Sequence, residues 1–122
     1  MKVHRWSEIE REELSPGVAR QMLHSDRMTV ARIYLKKGAI VPRHHHENEQ
    51  MTYVLQGAMK FLIGGEEIML REGEVLHIPS WVEHQAEALD DTFELDLFSP
   101  IRQDWLDKTD TYFHRAVTDE SE

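Results

Sequence analysis

Residues 51–70 read MTYVLQGAMKFLIGGEEIML, and this stretch decides the class of fold. Short runs of apolar and alternating residues are separated by Gln56-Gly57 and by Gly64-Gly65. A Gly-Gly pair between two alternating runs is typical of a β-hairpin. The stretch therefore predicts consecutive antiparallel strands over residues 51–55, 59–63 and 67–70.

The same texture continues on both sides of this stretch. Gly, Pro and acidic turn signals recur at intervals of about 8–12 residues, and no helical pattern lies between them. This arrangement is typical of a β-sandwich or barrel, so an all-β domain is predicted. The further predicted strands cover residues 19–23, 28–35, 75–78, 84–89 and 92–98.

Length and composition predict one domain. The chain has 122 residues and 40% of them are apolar, which is enough for a single packed core. Its three parts are a charged N-terminal arm (1–16), the barrel (18–99) and a C-terminal segment (100–122). In the last part, Ile101, Trp105 and Leu106 fit a short helical turn that closes the barrel.

Several classes of protein are excluded or disfavoured by composition. The chain has no cysteine, which excludes disulfides, thiolate metal sites and a cysteine nucleophile. A net charge of −9 argues against nucleic acid as the main partner. No apolar run is long enough to cross a membrane, and the first residues carry no secretory pattern. A cytoplasmic protein is therefore expected.

Some predicted strands are apolar on both faces. In residues 92–98, Phe93 and Leu95 lie opposite Phe98, and in residues 51–55 Tyr53 lies opposite Val54. A barrel has one interior, so the second apolar face must be covered by the N-terminal arm or by a second copy of the chain. We expect a homodimer.

The histidines suggest a metal site. His44 and His46 share one face of an extended segment, while His45 points away. Gln50 follows at the start of the next strand, and His84 lies on a strand that must become adjacent in the sheet. Three imidazole nitrogens and one amide oxygen suit a divalent transition metal such as Zn, Ni, Fe, Mn or Co. By spacing alone, a solvated histidine-rich loop without metal is an equal alternative.

A second informative stretch is residues 92–102. Glu94, Asp96 and Phe98 share one face by alternation, and Arg102 follows after a proline turn. If that face is the lumen, Asp96 is a candidate acid or base, and Arg102 could hold a substrate carboxylate in a bidentate manner. The alternative is a structural Asp–Arg pair at the end of the barrel.

The spacing of these residues resembles the two motifs of the cupin superfamily. The first motif, G-x5-H-x-H-x3-E-x6-G, is matched by Gly38, His44, His46 and Gly57, with Gln50 where Glu is usual. The resemblance implies a jelly-roll barrel, often dimeric, with a metal ion near one mouth. With Gln in place of Glu the ligands are neutral, which leaves the ion at +2 and weakens an oxygenase interpretation.

The second cupin motif, G-x5-P-x-G-x2-H-x3-N, is matched less completely. Gly73, Pro79 and His84 are in register, whereas Trp81 and Ala88 replace the second Gly and the Asn. The pattern leaves open whether Trp81 walls the pocket or covers the barrel end. It favours a packed or exposed His77 over one that faces the pocket.

The run from Asp96 to Leu106, together with Gln50, resembles the KdgF family of small single-domain cupins. That family converts 4,5-unsaturated uronates into ketonised linear sugars. The resemblance implies metal ligands at His44, His46, Gln50 and His84, and substrate-binding or catalytic roles for Asp96, Phe98 and Arg102. The expected partner is a small anionic sugar. Two alternatives stay open: another cupin enzyme (a dioxygenase, lyase or isomerase acting on a small carboxylate) and a non-catalytic ligand-binding cupin.

Overall fold

The computed structural model describes residues 1–110 and 112, and it consists of two antiparallel β-sheets. The strands are β1 (Glu12–Ser15), β2 (Val18–His24), β3 (Thr29–Leu35), β4 (Ile40–His44), β5 (Glu49–Gln56), β6 (Ala58–Ile63), β7 (Glu66–Arg71), β8 (Val75–Ile78), β9 (His84–Ala88) and β10 (Thr92–Ser99). A 3-10 turn (Trp6–Glu8) precedes them, and helix α1 (Gln103–Leu106) follows. The predicted all-β class with a short C-terminal helical turn is confirmed.

The two sheets enclose one lumen. The larger sheet has the order β1-β2-β3-β10-β5-β8, and the smaller has the order β4-β9-β6-β7. Along β3 and β10 buried residues alternate with half-buried ones, because successive side chains point to opposite faces of a strand. The inward apolar residues of both sheets form the core, with Ile33, Val54, Met59 and Phe61 among them.

Two strands differ from the sequence-based prediction. β1 lies within the charged N-terminal arm, where no strand was predicted, and it pairs with β2 across the turn at Gly17. β4 contains Pro42 and His44 and reads as a loop by composition. It is an edge strand paired with β9, and an edge is where a sheet tolerates proline. Both strands are therefore specified by their neighbours more than by their own residues.

The outer face of the larger sheet is covered in part by the N-terminal arm. The side-chain Nε2 of Gln21 donates hydrogen bonds to the carbonyl oxygens of Trp6 and Ile9, at 2.9 and 2.8 Å. Farther across the same sheet, Met51 and Tyr53 remain 42% and 38% exposed. The arm thus supplies one of the two predicted covers, and the rest of the apolar face is open.

Residues 100–110 of the C-terminal segment close one mouth of the lumen. Trp105 of α1 is buried and makes an edge-to-face contact with Phe98 of β10, with ring centroids 5.1 Å apart. The buried Arg20 of β2 lies over the Trp105 ring and pairs with Asp110 at 2.7 Å. Within the described residues, no helix is long and apolar enough to span a membrane.

Candidate metal centre

Three histidines converge at the mouth that the C-terminal segment closes. His44 ends β4, His84 begins β9 as its pairing partner, and His46 lies in the loop after β4. One nitrogen from each ring lies within 4.8 Å of the others, and all three residues are buried. His45 is exposed, as the alternation predicted. Strand geometry and cross-strand pairing therefore bring together three side chains that can hold one metal ion.

Backbone carbonyls fix the orientation of all three imidazoles. In each ring Nδ1 lies within hydrogen-bond distance of a carbonyl two residues away in the chain, and an acceptor there requires Nδ1 to carry the proton. The Nε2 atom is then unprotonated and directed toward the centre. Metal-binding histidines commonly donate their other ring N–H to a carbonyl in this way. The three pairs are His44 with Pro42 (2.7 Å), His46 with Asn48 (3.1 Å) and His84 with Val82 (2.9 Å).

The electrostatic surroundings keep these rings neutral. Burial lowers the pKa of His44 well below its ordinary value, and the neighbouring His84 lowers it further. Burial, followed by the positive charge of Arg102, lowers the pKa of His46 to about 4. Burial is also the main cause of a lowered pKa at His84. Neutral imidazole is the form that binds a metal, so the site is ready for a cation at neutral pH.

Gln50 adds an oxygen ligand to the three histidine nitrogens, and this set of ligands fits a divalent ion. Its Oε1 lies 3.1 Å from Nε2 of His46. Because the proton of His46 is on Nδ1, the lone pair of its Nε2 faces a lone pair of Oε1 of Gln50. No hydrogen lies between the two atoms. Two ligands about 2.1 Å from one ion and at right angles lie about 3 Å apart, so the contact has the spacing of two ligands of one cation. Within the described part of the chain, Nε2 of His84 has no hydrogen-bond partner, although it is buried.

The cavity beside the histidines contains the three residues predicted to bind or transform a substrate. Asp96, Phe98 and Arg102 line it together with His44 and His84. Phe98 makes an edge contact with His46 at a centroid distance of 5.6 Å, and the Arg102 guanidinium lies 4.7 Å from the centre of the Phe98 ring. Glu94, Asp96 and Phe98 share one face, as alternation predicted, and their burial around the cavity identifies that face as the lumen.

Asp96 has the properties of an acid or base that works near neutral pH. Burial raises its pKa to about 7, although a hydrogen bond from Thr52 and the charge of Arg102 oppose the rise. Its Oδ1 has no hydrogen-bond partner among residues 1–110 and 112. Glu94 lies deeper in the lumen, where burial and the nearby Asp96 raise its pKa well above the ordinary value. Asp96 is thus the carboxyl group nearer to the histidines.

Arg102 is held by groups on several elements. Its side chain is 1% exposed and its backbone N–H donates to the Thr29 hydroxyl at 2.9 Å. Nε donates to Oδ1 of Asp104 at 2.9 Å, and a terminal nitrogen donates to Oδ2 at 2.7 Å. A structural Asp–Arg pair therefore does occur at this end of the barrel, but the partner is Asp104 and not Asp96.

Some residues of the site were missed in the sequence. The Tyr112 ring stacks on His44 with centroids 4.1 Å apart and an interplanar angle of 5°, and it lines the cavity. Asn48 accepts from His46 through its carbonyl oxygen, and its side chain donates to the carbonyl of Ile101 at 3.0 Å. Thr52 accepts a hydrogen bond from Gln50. The one available signal was that Thr52 follows Gln50 by two positions on a strand and so shares its face.

His77 and Trp81, whose roles the sequence pattern did not settle, lie outside the cavity. His77 is exposed, and its Nε2 lies 2.9 Å from a carboxylate oxygen of Glu49, so the packed or exposed alternative is correct. Trp81 is 63% exposed and makes a tilted contact with the exposed His45 ring at 5.7 Å. Trp81 therefore does not wall the pocket in this structure.

Comparison with known proteins agrees with this fold. The family model described as cupin domain matches residues 31–99, and the chain belongs to the cupin family. Its similarity extends to particular members. The pectin degradation protein KdgF of Dickeya dadantii (strain 3937) is 32% identical over 98 residues, which is 78% of this chain and 89% of that relative.

Two solved structures resemble the whole barrel. KdgF from Halomonas sp. has a TM-score of 0.75 and 32% identity, over 81% of this chain and 94% of that chain. An RmlC-like cupin from Shewanella frigidimarina NCIMB 400 has a TM-score of 0.78 and 29% identity, over 84% of this chain and 93% of that chain. The predicted relationship to KdgF is therefore confirmed.

Proposed function

We propose that this cupin is a metal-dependent enzyme that opens and ketonises 4,5-unsaturated uronates. The supporting observation is that Asp96, Phe98 and Arg102 share one cavity with His44 and His84. The similarity to pectin degradation proteins named KdgF supports the same reaction class. Under this proposal His44, His46, Gln50 and His84 hold one divalent transition metal ion.

The charges at the site favour an anionic substrate. The four proposed ligands are neutral, so they do not offset the charge of a divalent ion. Arg102 lies beside them with a further positive charge, which lowers the pKa of His46 and is partly offset by the paired Asp104 carboxylate. At contact distance these charges outweigh the net charge of −9 of the whole chain. A small sugar acid fits this local field better than a neutral sugar.

The proposed reaction has two steps, ring opening and ketonisation, and each of the three cavity residues has a role in it. Ring opening removes the proton of the C1 hydroxyl, forms the C1 aldehyde as the bond between C1 and the ring oxygen breaks, and leaves an enolate at C5. A proton added at C4 then gives the C5 ketone, so no net proton is gained or lost. When bound, a divalent ion supplies Lewis-acid stabilisation of negative charge on substrate oxygen.

Asp96 moves the protons: burial raises its pKa to about 7 in the metal-free protein, and as a carboxylate near the cation it accepts the proton of the C1 hydroxyl and returns a proton at C4. Arg102 holds the carboxylate of the substrate, and Phe98 packs against the sugar ring. All three residues come from β10 and the turn after it, so their mutual placement depends on one rigid strand.

Substrate entry requires a movement of Tyr112. The free space in the cavity is about 40 Å³, and Tyr112 and Trp105 form part of its wall. A six-carbon uronate needs several times this volume. Displacement of Tyr112 from the His44 ring enlarges the space where the substrate must lie.

The test is the loss of ultraviolet absorbance by the conjugated double bond of freshly made unsaturated galacturonate. Purified protein, chelator-stripped protein and a blank for spontaneous opening are compared. We expect loss well above the blank that chelator abolishes and added metal restores. If metal-loaded protein does not exceed the blank, the uronate assignment is wrong. Turnover of another small carboxylate that stops under anaerobic conditions with Fe²⁺ would identify an oxygenase instead.

We further propose that the protein is a homodimer. Met51, Tyr53 and Val75 form a contiguous exposed patch on β5 and β8, and they are 42%, 38% and 49% exposed. Burying such a patch against a second copy is favourable by about 25 cal/mol per Å². Sedimentation analysis should give twice the chain mass, and Tyr53→Glu should give the monomer. A monomeric wild type at micromolar concentration would contradict this proposal.

A further inference from the structure

A chain of hydrogen bonds connects the candidate metal centre with Asp96. Gln50 places Oε1 against His46 and donates from Nε2 to the hydroxyl of Thr52 at 2.8 Å. Thr52 is the pairing partner of Asp96 on β10, and a hydrogen bond from Thr52 opposes the rise in the pKa of Asp96. Thr52 is 0% exposed, so no bulk water competes for these contacts. One hydroxyl therefore lies between the proposed fourth ligand and the proposed acid or base.

The chemistry of the three groups fixes the direction of the chain when Asp96 is ionised, which is the form that a nearby cation favours. A carboxylate at Asp96 only accepts, so the single proton of the Thr52 hydroxyl is directed to it. The Thr52 oxygen is then left as an acceptor, and only the NH2 end of the Gln50 amide can donate to it. The oxygen end of that amide is consequently directed to His46 and the centre. An amide turned the other way would present N–H donors to a cation.

We propose that Thr52 is a positioning residue that holds the Gln50 amide with its oxygen toward the metal ion. A glutamine needs such help, because its two ends have nearly the same shape and opposite hydrogen-bonding character. A glutamate at the same position would not need it, since both of its terminal atoms are oxygens. The inference rests on the metal centre of the proposed function, and it does not depend on the uronate reaction.

The test compares metal affinities in competition with a chromogenic chelator, using Zn²⁺ as the probe. Thr52→Val keeps the shape of the side chain and removes the hydroxyl, and Thr52→Ser keeps the hydroxyl. We expect Thr52→Val to weaken metal binding about 10–100-fold, which is the usual cost of removing a group that hydrogen-bonds to a metal ligand. Thr52→Ser should keep most of the wild-type affinity. Thr92→Val is the matched control. Thr92 is also a buried threonine, but it lies at the start of β10, at the opposite end of that strand from Ser99, and it bonds to Ala58.

A double-mutant cycle separates orientation of the amide from general damage to the fold. In a Gln50→Glu background, Thr52→Val should cost less than about threefold in affinity, because a carboxylate needs no orientation. An equal loss in both backgrounds, or wild-type affinity in Thr52→Val, would overturn the proposal. If affinities behave as expected but no uronate is consumed, the proposed reaction fails and the role of Thr52 stands. Thermal unfolding of the metal-free variants identifies any that do not fold.

Discussion

Arg102 and Asp104 form a bidentate pair at the wall of the cavity, with nitrogen–oxygen distances of 2.9 and 2.7 Å. Burial alone would raise the pKa of Asp104, but hydrogen bonds and the charge of Arg102 lower it, so the group is ionised. This geometry is the one in which a guanidinium binds a substrate carboxylate. Asp104 therefore occupies one of the two donor edges of Arg102, and its negative charge competes with an anionic substrate for the guanidinium.

We predict that Asp104→Asn lowers the KM for an unsaturated uronate. Asparagine binds the guanidinium more weakly than a carboxylate does, so it competes less with the substrate. A loss of about 1 kcal/mol of competition corresponds to a fall of about fivefold in KM, with little change in kcat. Steady-state kinetics provide the measurement. A rise in KM would mean that Asp104 holds Arg102 in position for the substrate and does not compete with it.

Arg102→Lys should raise the KM about 10–100-fold and leave the metal content unchanged. Lysine keeps the charge but has a single ammonium group, which cannot form the two parallel hydrogen bonds of a guanidinium. The matched control is Arg43→Lys, since Arg43 is 66% exposed and pairs with Glu83. Equal KM values for the Arg102 variant and the wild type would exclude carboxylate binding by Arg102.

Metal content should depend on His46 and not on His77. His46 is buried among the converging rings, whereas His77 is exposed on β8 next to Glu49. We expect one divalent ion per chain in the wild type and in His77→Ala, and less than about a tenth of that in His46→Ala. Elemental analysis of folded, desalted protein measures the content. Full metal occupancy in His46→Ala would rule out the proposed ligand set.

The sequence was sufficient for the parts of this structure that follow from local pattern. Alternation predicted that His44 and His46 share a face from which His45 points away, and that Asp96 and Phe98 share a face. Strand β4 was missed because Pro42 and three consecutive histidines resemble a loop, and only pairing with β9 makes the segment a strand. Local pattern therefore predicts faces well and edge strands poorly.

Contacts made by side chains from distant segments could not be predicted in the same way. Nothing in the sequence indicates that Tyr112 stacks on His44, 68 positions earlier, since this contact depends on the path of the chain after α1. The pairing of Arg102 with Asp104 is local, but a charged pair two residues apart is common in loops and carries no signal of a binding site. The role of Thr52 needed the direction of each hydrogen bond, which spacing does not give.

The pH dependence of stability should reveal Asp96 in the metal-free protein. Because its folded-state pKa is raised to about 7, its contribution to stability is fully present below its ordinary pKa and is lost as pH rises through 7. Asparagine does not titrate, so the wild type should become less stable relative to Asp96→Asn by roughly 3 kcal/mol between pH 5 and 8. Urea unfolding of chelator-stripped proteins gives both curves. Metal must be absent, since a nearby cation favours the ionised carboxylate.

The comparison with Asp96→Asn removes effects that both proteins share. The lowered pKa values of His44 and His46 act in the opposite direction, since stability from these groups is lost as pH falls, but they are present in both chains. Glu67→Gln is the control for removing a carboxylate as such, because Glu67 is exposed on β7. A difference between wild type and Asp96→Asn that stays flat or reverses between pH 5 and 8 would show that Asp96 is ionised well below neutrality. It would then be a poor proton donor at C4, and the proposed reaction would need another acid, for which Glu94 is the next carboxyl group in the lumen.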